Sequence, residues 1–266
     1  MSLSPEQTSV QVKFAGEVAG DPALYFRLYR EKFGKILDTD NARELSEDYA
    51  RSPADRARFG GAVHEVAGTL VWQLFLDTLA AGRATGPTRV IITGGGAGSG
   101  KTSMVTGLAR NAFDSAQIIY DTTLADLPSA VEKVKAARAA GNVVTLIYVH
   151  RPIELAARGV IERAVESGRC VPLRVVADNH FDAQRTMLQL ARRYEGSRRV
   201  EIQVIDNGGD LTQARFVGLD FLVRRFYKKR EAVRRRALRA ARAALRDLRR
   251  QGQAIPEYVY EAILEE

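Results

Sequence analysis

The stretch VIITGGGAGSGKTS, Val90 to Ser103, decides the fold of this chain. Three apolar residues, Val90, Ile91 and Ile92, run into a glycine-rich turn, and Thr102 opens an apolar-periodic segment behind it. Gly95-Gly96-Ala97-Gly98-Ser99-Gly100-Lys101-Thr102 satisfies GxxxxGK[ST], in the strand–loop–helix setting the motif requires. Glycines allow backbone conformations that turn successive N–H groups towards one point, which makes an anion cradle. The following helix adds the positive end of its dipole. Gly95 through Ser103 are therefore expected to bind ATP, with Lys101 on the terminal phosphates and the Thr102 hydroxyl holding Mg2+. Such a loop implies a bound nucleoside triphosphate and leaves the reaction open.

Outward from the loop, strand-like runs at Val90–Ile92, Ile118–Tyr120, Val143–Val149 and Val200–Ile205 alternate with helical segments. The helices are expected at Thr102–Ala112, Pro128–Ala140, Ile153–Ser167 and about Asn179–Tyr194. This alternation predicts an α/β, P-loop kinase-like fold: a mostly parallel sheet flanked by helices. Residues 22–82 read as helical, clearest over Ala23–Phe33 and Ala57–Ala80, interrupted by KILDTDNAREL (35–45), where a short apolar pair runs into two acids, and AGRATGP (81–87) breaks the pattern. The expected organisation is a helical extension over 1–35, a kinase core over 36–216 and a basic helical extension over 217–266.

With 266 residues, 45% of them hydrophobic, the chain can bury a core without disulfides or structural metals. Cys170 is the sole cysteine, so no intrachain disulfide is possible and no zinc site is suggested. Apolar runs such as Val143–Val149 are far short of a membrane span, and the N-terminus lacks signal-peptide features, so a cytoplasmic location is expected. Net charge is +8, yet residues 224–250 alone hold thirteen Lys/Arg against Glu231 and Asp247, which leaves the remainder at −3.

A kinase also needs a base for the acceptor hydroxyl and cations for the phosphoryl group in transfer. Arg163 and Arg169 bracket the end of one predicted helix, where two guanidinium groups can close over a phosphate opposite Lys101, or simply face solvent. His180, in DNHFDAQ, is expected near a helix N-terminus, as a cap, a buried hydrogen-bonding group or a catalyst. Asp38 and Asp40 precede a helical run, where capping is the alternative to chemistry. Asp206 and Asn207 read as a turn after the last strand.

GGGAGSGKTS, HRPIELAARGVIERAVESGRCVPL, DNH and VIDN together resemble the zeta toxin family of bacterial P-loop kinases. That resemblance implies ATP- and Mg2+-dependent phosphorylation of a nucleotide sugar, UDP-N-acetylglucosamine, and an antitoxin partner. Arg163 matches the family's first phosphate-stabilising arginine, and Arg169 the second, with Arg174 in reserve. The family's acidic pair follows its phosphate loop, whereas the matching Asp38-Thr39-Asp40-Asn41-Ala42-Arg43 here precedes it. Asp121-Thr122-Thr123 resembles the family's acid-Gly-Thr turn that contacts the sugar nucleotide. A strand-plus-helices unit is thus expected to have moved ahead of the loop. The resemblance implies Asp40 as base, with Asp121 the alternative, and Asp38, Arg43, Asp121 and Thr123 as acceptor-binding residues.

Leu222, Phe226, Val233, Ala237, Ala241, Leu245 and Leu248 form one apolar stripe at helical spacing. The expected role is packing on the kinase body, with the arginines solvated and the acidic PEYVYEAILEE lying back on them; thin aromatic content disfavours nucleic acid. A P-loop ATPase or an NTP-dependent nucleic-acid-binding module is the competing reading, as is a kinase of another nucleotide-linked acceptor.

Overall fold

The computed structural model describes residues 3–82, 88–209 and 213–264. Part of the expected break over 81–87 lies outside them; the preceding helix runs to Gly82. Six strands occur among the described residues: β1 Ile36–Asp38, β2 Arg89–Gly94, β3 Ala116–Asp121, β4 Val143–His150, β5 Val200–Asp206 and β6 Arg215–Val217. They form one sheet in the order β1-β3-β2-β4-β5-β6. All neighbours pair in parallel except β5 with β6, so the phosphate-loop strand β2 lies inside the sheet.

Strand alternation divides the apolar residues between two faces. Val90, Ile92, Ile118, Leu146 and Val204 share one core with α6 (His64–Gly82), α9 (Leu127–Ala139) and α11 (Leu173–Arg193), on which α1 (Pro5–Gly20) and α2 (Pro22–Phe33) are layered through α6. Ile91, Ile119, Ile147 and Ile205 face the short α7 (Lys101–Thr106) and α8 (Arg110–Ser115), through Met104 and the partly buried Phe113. Apolar burial on both sides is what a parallel sheet requires.

Ahead of the loop the chain carries the strand-plus-helices unit that the family resemblance implied, at the interruption over 35–45. Between α2 and α6 the chain forms β1 and then α3 (Thr39–Arg43), α4 (Glu47–Ala50) and α5 (Pro53–Phe59). β1 escapes the pattern because it has three residues and draws its pairing from β3, some 80 positions later. Its register sets Ile36 against Ile119 and Asp38 against Asp121. The acidic segment thus reaches the sheet from in front of the phosphate loop.

Three other expectations are corrected. The helix expected over Thr102–Ala112 breaks at Gly107 and restarts at Arg110, glycine being a weak helix former. The helix expected from Asn179 begins at Leu173, directly after Pro172, so His180 lies in its second turn rather than at an N-terminus. The Leu222–Leu248 stripe is divided between α12 (Leu219–Arg224) and α13 (Arg230–Arg250). Between them Tyr227 donates its amide to Gln184 Oε1 at 2.8 Å and accepts the Ile153 amide on its hydroxyl at 3.1 Å. Those tertiary bonds hold the link in a non-helical path, and Leu222 joins the main core instead.

From Val233 to Leu248 the apolar face of α13 packs on α10 (Ile153–Ser167) and α11, using Ala237, Ala241 and Ala244 for close approach. Arg230 pairs with Asp182, Arg234 with Asp178 and Arg236 with Glu154 at 2.5–2.7 Å. The acidic end, expected to lie back on the basic helix, forms α14 (Glu257–Leu264) against α5 and α10. It meets α13 through the buried Val259 and through Arg249, whose guanidinium sits 5.1 Å from the Tyr260 ring centroid.

Candidate active site

The loop after β2 turns its carbonyls into the protein and leaves amides free. Gly95 O accepts from Lys101 Nζ at 3.2 Å, Gly96 O from the Ser99 amide, Ala97 O from His180 Nε2 at 3.0 Å, and Ser99 O from Asn207 Nδ2 at 2.8 Å. Among the described residues, the amides of Gly96, Ala97, Gly98 and Gly100 have no protein acceptor. Two of the glycines are required by close backbone approach. Gly95 (φ 125°) and Gly98 (φ 76°) have positive φ, which side chains rarely adopt, and a Cβ on them would lie 2.5 Å from Val149 O and 2.4 Å from Ala156 O. Free amides beside the start of α7 form the anion cradle inferred from the motif. Ser99 departs from a simple ligand-facing picture: its side chain is buried and its Oγ has no partner.

At the carboxyl ends of β1 and β3 the acids converge on this loop. Asp121 accepts from Thr93 Oγ1 at 2.6 Å and from Thr102 Oγ1 at 3.2 Å, and lies 3.9 Å from Lys101 Nζ. Asp38 caps α3 by accepting the Asp40 amide at 2.9 Å. Its capping and its place beside Asp121 therefore coexist. The buried Tyr29 of α2 braces the strand end, accepting the Asp38 amide at 2.7 Å and donating to Ile36 O. Burial, then the charges of Asp121 and Asp40, push the Asp38 carboxyl up to about 7.

Asp40 has the opposite balance. Burial opposes its charge, but Arg43, Arg163, Arg169 and Lys101 outweigh it, and the carboxyl sits below its ordinary range. Asp40 lies 3.3 Å from Arg43 and 3.8 Å from Arg163, and its side chain keeps 28% exposure. Arg43 is itself held by His64 Nδ1. Arg163 comes from α10, which ends at Gly168, a left-handed cap (φ 72°) whose missing Cβ makes room for Pro53 O. One residue on, Arg169 donates to Asp40 O at 3.3 Å and lies 3.6 Å from Glu44. Arg174, the reserve, is exposed and makes no polar contact among the described residues.

Asp38, Asp40, Arg43, Lys101, Thr102, Asp121, Thr123, Arg163 and Arg169 all line one cleft of about 1540 Å³. Thr123 also accepts the Gly95 amide on its carbonyl, tying the turn after β3 to the loop. The Thr102 hydroxyl beside the Asp121 carboxylate is a hard-oxygen donor set suited to Mg2+ completed by phosphate and water oxygens. Among the described residues no cluster of three or more His, Cys, Asp or Glu could form an all-protein cage. No helix among the described residues is long and apolar enough to cross a membrane. One contributor escaped the sequence reading, and another, His180, takes the buried hydrogen-bonding role that was one of its expected readings. Asn207, read as part of a turn, is fully buried and bonds the loop from behind, and so does His180. Their signal was the DNH and VIDN runs, whose partners lie far off in sequence.

Comparisons with known proteins follow this geometry. No curated protein matches the chain. Among the solved structures that resemble it loosely are three whose TM-scores lie below 0.5. The native AvrRxo1-ORF1:-ORF2 complex has TM-score 0.43 and 14% identity, covering 54% of this chain and 61% of that one. The same complex with ATP has TM-score 0.43 and 15% identity, covering 67% and 66%. A structure from the PezAT chromosomal toxin–antitoxin system of Streptococcus pneumoniae has TM-score 0.40 and 18% identity, covering 86% and 82%. This chain thus spans less than two thirds of the first AvrRxo1 chain. The zeta toxin family model matches residues 112–215, the part lying after both the phosphate loop and the acidic pair. Over that segment, which carries Asp121, Arg163 and Arg169, the chain is zeta-toxin-like in sequence.

Proposed function

We propose that the chain is an ATP-dependent small-molecule kinase of zeta toxin type, transferring the γ-phosphate to a sugar hydroxyl of a nucleotide sugar such as UDP-N-acetylglucosamine. The observation that carries the reading is the meeting, in one cleft, of Asp40 with Arg163 and Arg169 from more than 120 residues away, opposite Lys101 and the free loop amides. A carboxylate and two guanidinium groups facing a phosphate cradle are what phosphoryl transfer needs.

In this reading the loop amides and Lys101 hold the triphosphate. Thr102 and Asp121 hold Mg2+, which supplies charge neutralisation on the phosphate oxygens when bound. Asp121 is occupied by Thr93, Thr102 and Lys101, so it belongs to the nucleotide side of the cleft. Asp40 stays ionised among its arginines, keeps an exposed face, and takes the proton of the acceptor hydroxyl. Arg163 and Arg169 then neutralise the phosphoryl group in transfer. Asp38, Arg43 and Thr123 orient the acceptor. An antitoxin partner is proposed from the family resemblance, and a cytoplasmic location from the sequence's short apolar runs.

The test is incubation with ATP, Mg2+ and a panel of nucleotide sugars and dinucleotides, read by mass spectrometry. One acceptor gaining 80 Da (roughly one phosphoryl group), with the gain lost in Lys101→Ala, supports the kinase. ATP hydrolysis without transfer to any acceptor overturns it.

A further inference from the structure

We infer that His180 and Asn207 are positioning residues for the nucleotide: two uncharged side chains that clamp the phosphate loop from behind and keep its amides turned to the cleft. The inference rests on the loop binding ATP, as in the reading above. Between Gly95 and Gly100, Gly98 O alone lacks a donor among the described residues. Lys101, Ser99 and Met104 serve three of the others from within the motif, but Ala97 O and Ser99 O depend on His180 from α11 and Asn207 after β5.

Both clamps are built in. His180 is 2% exposed and Asn207 fully buried. A Cβ on Gly96 would stand 1.9 Å from the His180 ring, and one on Gly100 2.7 Å from Asn207 Nδ2, so these glycines make room for the clamps. Asn207 is fixed in turn by its amide, which donates to His150 O at 2.8 Å where β4 ends. The His180–Ala97 bond needs a proton on Nε2. Burial lowers the imidazole to about 4, so above pH 6 the ring is neutral and donates from that nitrogen to the carbonyl.

A peptide unit is rigid, so a carbonyl held inwards directs the next amide outwards. Ala97 O and Ser99 O are joined through their peptide planes to the amides of Gly98 and Gly100, both unpaired. Without the clamps the loop can turn a carbonyl towards the triphosphate, placing partial negative charge where positive is needed.

The experiment measures Mg·ATP affinity by calorimetry, and KM and kcat with an active acceptor, on the full chain. Asn207→Asp retains shape but replaces the donor by a carboxylate, and it should weaken ATP binding about tenfold or more. His180→Ala should weaken it about three- to tenfold, and His180→Gln, whose amide can donate, should recover part of the loss. KM for the acceptor should stay unchanged, and melting curves should confirm that each variant is folded. Folded Asn207→Asp and His180→Ala proteins that bind ATP as tightly as wild type would overturn the clamp. Equal losses for acceptor and ATP would also overturn it, because they mark a general disturbance. A wild-type chain that binds no ATP would instead defeat the underlying kinase reading.

Discussion

Asp38 and Asp40, two residues apart, show how placement divides like side chains into different roles. Both carboxyls are drawn into the fold, yet Asp40 meets arginines and Asp38 meets other acids. Asp40→Asn should lower transfer about 10²–10⁴-fold while ATP affinity is retained. Asp121→Asn should instead weaken Mg·ATP binding, and comparing the two by calorimetry and turnover assigns the base. Arg163→Ala and Arg169→Ala should each lower kcat about 10²–10³-fold with small effects on ATP affinity. Asp38 makes a stability prediction with a definite sign. Its folded value near 7 exceeds the unfolded value of about 4, so its ionisation opposes folding. That cost is absent below pH 4, grows from pH 4 to 7 and is complete above 7. Asp38→Asn, whose Oδ1 can still accept the Asp40 amide, should raise the melting temperature at pH 8 more than at pH 5. Equal shifts at the two values would defeat this account.

At the scale of elements, the end of α10 is the joint on which an arginine depends. Gly168 is in the left-handed region, and a Cβ there would lie 1.9 Å from Pro53 O, a backbone atom of α5. Gly168→Ala should cost about 1–3 kcal/mol from strain and overpacking together. Because Arg169 follows directly, turnover should fall further than the loss of folded protein accounts for, which parallel melting and rate measurements would separate. How much of this was legible varied by element. The loop, β2, β3, β4, β5 and α10 stood out because motif or periodicity lies within a few residues. Apolar periodicity showed neither β1 nor β6, since three residues are too few to carry a pattern; β1 was expected only through the family resemblance, and its pairing comes from distant chain. The split of α12 from α13 was hidden because the apolar spacing runs through it, and the tertiary bonds of Tyr227 override it.

Across the whole molecule, the proposed nucleotide binding predicts a coupling between folding and ligand through the loop. ATP at about a hundred times its Kd should stabilise the folded chain by about 2.7 kcal/mol, or raise the melting temperature by about 5–10 °C. Lys101→Ala should abolish that shift, as scanning calorimetry with and without Mg·ATP would report. The sequence alone determined the glycine-rich loop between strand and helix, the parallel α/β architecture and the zeta-toxin-like segment. Each depends on local glycine geometry, strand and helix periodicity, or residue order, all of which are present along the chain. Tertiary structure decided how the site is assembled. Pairing of β1 with β3 brings an acidic segment from ahead of the loop to its side, and α10 with the turn after it carries Arg163 and Arg169 to Asp40. It also decided that His180 and Asn207 turn inwards to the loop. Hydrogen bonds between residues some 80 to 130 positions apart leave no spacing to read, because folding rather than the chain makes them neighbours.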